Sequence, residues 1–202
     1  MNWLILLQAL LYFCIFILGF LVCIPVGINR SSFDGECILY ADVHHSGKIY
    51  ITGSASSNCE FPIYFSVFGM IIVGLLAGLC FGYFALRSRS DEDVGRRMWT
   101  LPFIPLNAVL TIIALVTACV LSHGFNIFCE SVKDLSDLIK SCALLEHQTF
   151  NNKTDTGGFV GLSSLSQAGA WIGFFIYLIQ TGISVLRFFR NRQLKQKSTG
   201  SS

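Results

Sequence analysis

The chain has 202 residues, 53% of them hydrophobic and only 13% charged, with a formal net charge of +2. Its mean hydropathy is +0.62. Soluble domains carry about a quarter charged residues, so this composition excludes a domain that sits in water alone.

The charges are unevenly placed. No Asp, Glu, Lys or Arg occurs from Met1 to Asn29, Phe61 to Leu86, Met98 to Cys129, or Thr156 to Leu186. Each gap holds at least the ~20 residues that cross a ~30 Å hydrocarbon core as a helix. The predicted spans are residues 3–24, 63–86, 101–122 and 165–186, joined by outer loops 25–62 and 123–164. The expected fold is therefore an all-α membrane protein, a four-helix transmembrane bundle within residues 1–190. The first span has no positive n-region, and its apolar run exceeds the roughly 7–15 residues of a signal-peptide core, so it reads as retained.

The first loop contains "CILYADVHHSGKIYITGSASSNCEF", two β-rich runs around "HHSG", which predicts a hairpin. Cys37 opens it and Cys59 follows its return strand. His44 and His45 are adjacent in extended chain and point to opposite faces, a poor metal clamp. "NRS" at Asn29 is a glycosylation sequon at the end of span one.

Span two carries Gly74, Gly78 and Gly82 four residues apart. Each costs a helix about 1 kcal/mol relative to alanine. Lipid is as apolar as leucine, so helices in a membrane associate through close packing, which small residues permit. The stripe predicts either an internal seam of the bundle or a docking face for another protein or another copy of this chain. Spacing alone does not choose between them. Span three starts at Pro102 and Pro105, where missing N–H groups cost least. Span four has a shorter pair, Gly169 and Gly173.

In the second loop, "ESVKDLSDLIKSC" places Val132, Leu135, Leu138 and Ile139 on one helical face. An unbroken helix would hold Cys129 and Cys142 about 20 Å apart, against the roughly 7 Å that a disulfide tolerates. "NKT" at Asn152 is the second sequon, well away from either membrane end.

Arg87, Arg89, Arg96 and Arg97 crowd the short link between spans two and three, and Arg187, Arg190, Arg192, Lys195 and Lys197 follow span four. By the positive-inside rule, the link and both termini are cytosolic, with residues 191–202 a basic tail whose "STGSS" reads as a truncated or appended end. The two longer loops then face the lumen or the exterior along the secretory route. All four loop cysteines and both sequons, Asn29 and Asn152, fall on that side, where oxidation favours two disulfides. Four cysteines allow three pairings. The hairpin favours 37–59 with 129–142, and bonds crossing between the loops are the alternative. A zinc site would need a C-x2–4-C pair, which is absent. The expected cap is a disulfide-tied β-hairpin plus a short helix.

No ionisable residue occupies a span centre, where pumps and pores place theirs. Gln8, Asn107, Thr111, Thr117, Gln180 and Thr181 are accommodated as hydrogen bonds between helices. No hydrolase, zinc-protease or phosphate-loop motif is present, nor any nucleic-acid signature. The reading is a non-enzymatic protein without cofactor or metal. Beyond the lipid bilayer, its expected contact is a larger membrane protein that it serves as accessory subunit or chaperone, through the glycine face (Gly74, Gly78, Gly82, Gly169, Gly173) and the cap. The alternative is a self-assembling homo-oligomer that forms a pore or junction.

"FDGECILY", with Phe33, Gly35, Cys37, Leu39 and Tyr40, resembles the F-x-G-x-C-x-L-Y signature that follows the first span in the transmembrane protein 179 family. "LVTACVLSHGFNIFCESV" looks still more like the 179B branch, with Leu115, Val116, Ala118, Cys119, Leu121, Gly124, Cys129 and Ser131 in register. The resemblance covers nearly the whole chain and implies a four-pass protein with cytosolic termini. It brings no catalytic residues. Claudins carry a W…GLW-C-C pattern in the first loop, whereas Trp3, Trp99 and Trp171 lie at or within spans here. The CCG motif of tetraspanins is absent as well, which sets the chain apart from both classes.

Overall fold

The computed structural model describes residues 3–45, 49–88, 102–135, 142 and 157–199. Four helices in it are long and apolar enough to cross a membrane. They are α1 (Trp3–Ser32), α2 (Ser57–Arg87), α3 (Phe103–Leu135) and α4 (Phe159–Thr199). Between α1 and α2, strands β1 (Cys37–His45) and β2 (Ile49–Ser54) pair antiparallel. Gln8 meets Ser184, Tyr12 meets Phe81 and Ser122 meets Trp171, so the packed helices run antiparallel, with the hairpin at one end of the bundle and the start of α1 at the other.

At 1.5 Å per residue, α1 is about 45 Å long and α4 about 60 Å, well beyond a ~30 Å hydrocarbon core. The expected boundaries change accordingly. Residues 25–32, 57–62, 123–135 and 159–164, expected in the outer loops, are helical and extend α1, α2, α3 and α4, and residues 191–199 of the expected tail continue α4. Helix ends are set by local stop signals rather than by the edge of the apolar run. After α1 the backbone turns left-handed at Asp34 (φ 58°) and Gly35 (φ 88°), and the Gly35 N–H bonds the Arg30 carbonyl at 2.9 Å. Glycine adopts that conformation without steric cost. Gly158, at φ 85°, makes the corresponding bend just before α4.

Helix α1 is the hub. It packs against α2 on one side and α4 on the other, and α4 in turn packs against α3. Its buried positions include Ile5, Gln8, Tyr12, Ile15, Val22, Val26 and Asn29, recurring every three or four residues along one face. The other face leaves Leu10, Ile17, Ile24 and Ile28 exposed, as a span facing lipid should.

The glycines show how α1 is held. A Cβ added at Gly74 would lie 2.9 Å from the Phe16 nitrogen and 3.0 Å from the Tyr12 carbonyl oxygen, so two backbones touch there. At Gly78 it would meet the Phe13 ring at 3.5 Å, and at Gly82 nothing within 4 Å. Gly169 faces Val22 (3.1 Å) and Gly173 faces the Met70 methyl (2.6 Å). Of the two readings of the stripe, this packing agrees with the internal seam: α1, with Met70 of α2, covers Gly74, Gly78, Gly169 and Gly173, and Gly82 alone of the five is uncovered.

One feature carried no signal in the sequence. Residues Phe65–Ile72 of α2 are π-helical, an unusually long run of a conformation normally limited to single turns. Within it the Gly69 carbonyl accepts a hydrogen bond from the Tyr177 hydroxyl of α4.

Candidate functional site

At the hairpin end, a disulfide joins Cys37, the first residue of β1, to Cys59 in the first turn of α2, with Cα atoms 5.7 Å apart. The β1–β2 register is irregular between Cys37 and Asp42, and Tyr40 has φ 62°. Such a bulge bends a strand and re-aims its side chains. Here it turns Leu39 and Tyr40 onto α3 at Gly124, where an added Cβ would lie 3.0 Å from Leu39 Cβ and 2.8 Å from Tyr40 Cε2. The Tyr40 ring stands edge-on to His123 at 5.8 Å. Arg30 Nη2 bonds Glu60 at 3.0 Å, tying the end of α1 to the start of α2. Phe33 and Phe128 each pack edge-on against Phe159.

A second disulfide, Cys129–Cys142, holds its Cα atoms 5.4 Å apart. That distance rules out an unbroken helix from Cys129 to Cys142. Both bonds are local, so neither crosses between the loops. The hairpin's outward positions include Asp42, His44 and Thr52, all exposed.

The opposite end holds a buried polar cluster. Tyr12 donates to Asn107 Oδ1 (2.8 Å), and Ser184 Oγ accepts from Gln8 Nε2 (3.2 Å) and Asn107 Nδ2 (3.4 Å). Gln180 Nε2 reaches the Gln8 carbonyl at 2.8 Å, and Thr111 pairs with Thr181 at 3.2 Å. Arg187, only 6% exposed, donates to Gln8 Oε1 and lies 5.8 Å from the centre of the Phe81 ring. The cluster knits α1, α3 and α4 together, with Gln180 Oε1 left without a hydrogen-bond partner among the described residues.

The family described as the transmembrane protein 179/179B claudin domain matches residues 4–202. The chain belongs to this family. It is 25% identical to transmembrane protein 179B of Danio rerio over 197 residues, 95% of this chain and 87% of that one. It is 26% identical to transmembrane protein 179B of Mus musculus over 184 residues, 89% of this chain and 80% of that one. No solved structure matches. The distinction from claudins drawn on tryptophans is corrected by the family's own description as a claudin domain. The first-loop tryptophan motif is a local feature, and its absence leaves the four-helix architecture untouched.

Several positions that carried the resemblance to the 179 family meet in space. Leu39 and Tyr40 of β1 close on Gly124, Cys37 bonds Cys59, and Phe33 packs on Phe159. The signature thus marks the junction between cap and bundle. Asn29, read as a glycosylation candidate, is placed inside the bundle. Its side chain is buried, and its Nδ2, the atom a glycan would occupy, donates to Ser163 Oγ at 2.9 Å. Asn152 lies outside the described residues. Arg187, read as an orientation charge, is instead part of the core. Its position one residue past the apolar run gave no hint of that.

Proposed function

We propose that this 179-family protein is a non-enzymatic accessory subunit or chaperone of a larger membrane protein, which it engages through the hairpin cap. The observation that carries the reading is the way the cap is fixed: a disulfide to α2, a bulged strand seated on Gly124 of α3, and an ion pair closing the base. A surface held this firmly is preorganised, which lowers the ordering cost of binding. The glycine face no longer contributes, since α1 occupies most of it. Asn107, Thr111, Thr181 and the Gln180 amide nitrogen bond to groups inside one bundle, which disfavours their lining a self-assembled pore. Termini and link on the cytosolic side, cap on the lumenal or outer side, complete the proposal.

The test is purification from native tissue in gentle detergent followed by native mass spectrometry. One unrelated membrane protein at fixed ratio is the expected result. The double variant Asp42→Arg/Thr52→Arg changes two exposed residues that face each other across the hairpin, and it should release that protein while the bundle stays intact. A lone monomer, or a closed homo-oligomer without a second protein, would overturn the reading.

A further inference from the structure

At the hairpin end, α1, β1, α2, α3 and α4 leave a small cleft between them, a cavity of ≈ 20 Å³ that opens to the surface. Its apolar wall is Val26, Ile38, Leu39 and Leu121, and its polar wall includes Asn29 and Ser163. Asn29 is 5% exposed. Its Nδ2 donates to Ser163 Oγ (2.9 Å) and to the Phe159 carbonyl (3.3 Å). A carbonyl can only accept, so Phe159 fixes which end of the amide faces α4. Asn29 Oδ1 is left with no hydrogen-bond partner among the described residues. Buried acceptors in folded proteins are almost always satisfied, and one that is not requires a donor from elsewhere.

We infer that the cleft receives the hydroxyl group of a neutral membrane lipid, which donates its proton to Asn29 Oδ1. The missing group is a donor, which a hydroxyl supplies. It must be carried on an apolar body, because the surface exposed in the cleft is mostly apolar, although Arg30, Ser166 and Gln167 also line it. An anionic head group is not called for. Arg30, the cation on the rim, is engaged by Glu60 at 3.0 Å and by the Gly35 carbonyl at 3.1 Å. The depth agrees: the exposed apolar surface of α1 continues through Ile24 and Ile28, and charge begins at Arg30. Asn29 therefore stands where hydrocarbon gives way to the polar interface, the level at which lipid hydroxyls reside. The cleft has room for the hydroxyl alone, and the carbons that carry it lie at the mouth and along the helices outside.

The experiment uses the full chain in lipid nanodiscs with photoreactive, clickable probes. A sterol with a free 3-hydroxyl and a diacylglycerol with a free hydroxyl are each compared with their methyl ethers. Saturable labelling of residues 26–30 or 163–167 by at least one free-hydroxyl probe is expected. Its methyl ether should label about tenfold more weakly, the cost of leaving one buried acceptor unpaired. Whichever probe labels identifies the lipid class. Asn29→Leu should abolish the preference for the free hydroxyl. Val26→Phe fills the cleft while keeping the bonds of Asn29, and should abolish labelling in a protein that still elutes as one species. Equal labelling by hydroxyl and ether, labelling unaffected by Val26→Phe, or no saturable labelling at these residues (a cleft holding water alone) would each overturn the inference.

Discussion

Three glycines at identical spacing should respond differently to the same small change, and the difference is set by α1. Replacing any of them with alanine gains about 1 kcal/mol of helix propensity. At Gly82 the new methyl meets nothing within 4 Å, so Gly82→Ala should keep that whole gain. At Gly78 the methyl touches the Phe13 ring at an ordinary 3.5 Å, and the result should be similar. At Gly74 it would lie 2.9 Å from a backbone nitrogen and 3.0 Å from a carbonyl oxygen. Backbone cannot swing aside as a side-chain tip can, so the overpacking cost falls at the upper end of the roughly 1–3 kcal/mol range. Subtracting the propensity gain leaves Gly74→Ala about 2 kcal/mol less stable than the parent, hence about 3 kcal/mol below Gly82→Ala. Unfolding in mixed micelles by increasing mole fraction of SDS, followed by circular dichroism, resolves a gap of this size. Coincident unfolding of Gly74→Ala and Gly82→Ala would refute the α1–α2 seam.

Tyr12→Phe removes the hydrogen bond to Asn107 and should cost about 1 kcal/mol in the same titration, near the upper part of the range measured for such bonds within membranes. An unchanged midpoint would mean that Asn107 finds another donor. The Cys37→Ser/Cys59→Ser pair opens a loop of sequence separation 22 and should cost about 3 kcal/mol by chain entropy. Limited proteolysis should then cut the hairpin first. Non-reducing peptide mapping of the parent should yield 37–59 and 129–142 peptides, and a crossed pair would contradict the fold. On glycosidase treatment of protein from a secretory cell, the mass loss should vanish in Asn152→Gln and persist in Asn29→Gln. The reverse pattern would place Asn29 outside the bundle.

The four crossings were legible because a bilayer imposes a simple demand, some 20 residues without charge, and the sequence meets it four times. The hairpin was legible because β-rich runs flank a turn-forming tetrad. Helix ends were not, since α3 and α4 continue as ordinary helices past the apolar run, where no bilayer constrains composition. The burial of Asn29 was illegible for a related reason. A sequon is defined by three residues, but whether its nitrogen is accessible depends on Ser163 and the Phe159 carbonyl, more than 100 residues away. Arg187 shows the same limit, because only the folded bundle reveals Gln8 beneath it. The glycine stripe advertised close contact correctly and was silent about whose helix supplied it.

The meeting of α1 with α4 also has a bearing on how the protein is made. The ribosome delivers the spans in order, yet the first depends on the last. Gln8 waits for Ser184 and Arg187, and the Gly69 carbonyl of α2 waits for Tyr177. A nascent chain with three spans inserted is thus an open structure, its polar groups turned toward lipid or toward a membrane chaperone. Closure comes only when the fourth helix arrives. A premature stop anywhere before residue 177 would therefore leave an intermediate for quality control to remove, and no smaller working protein.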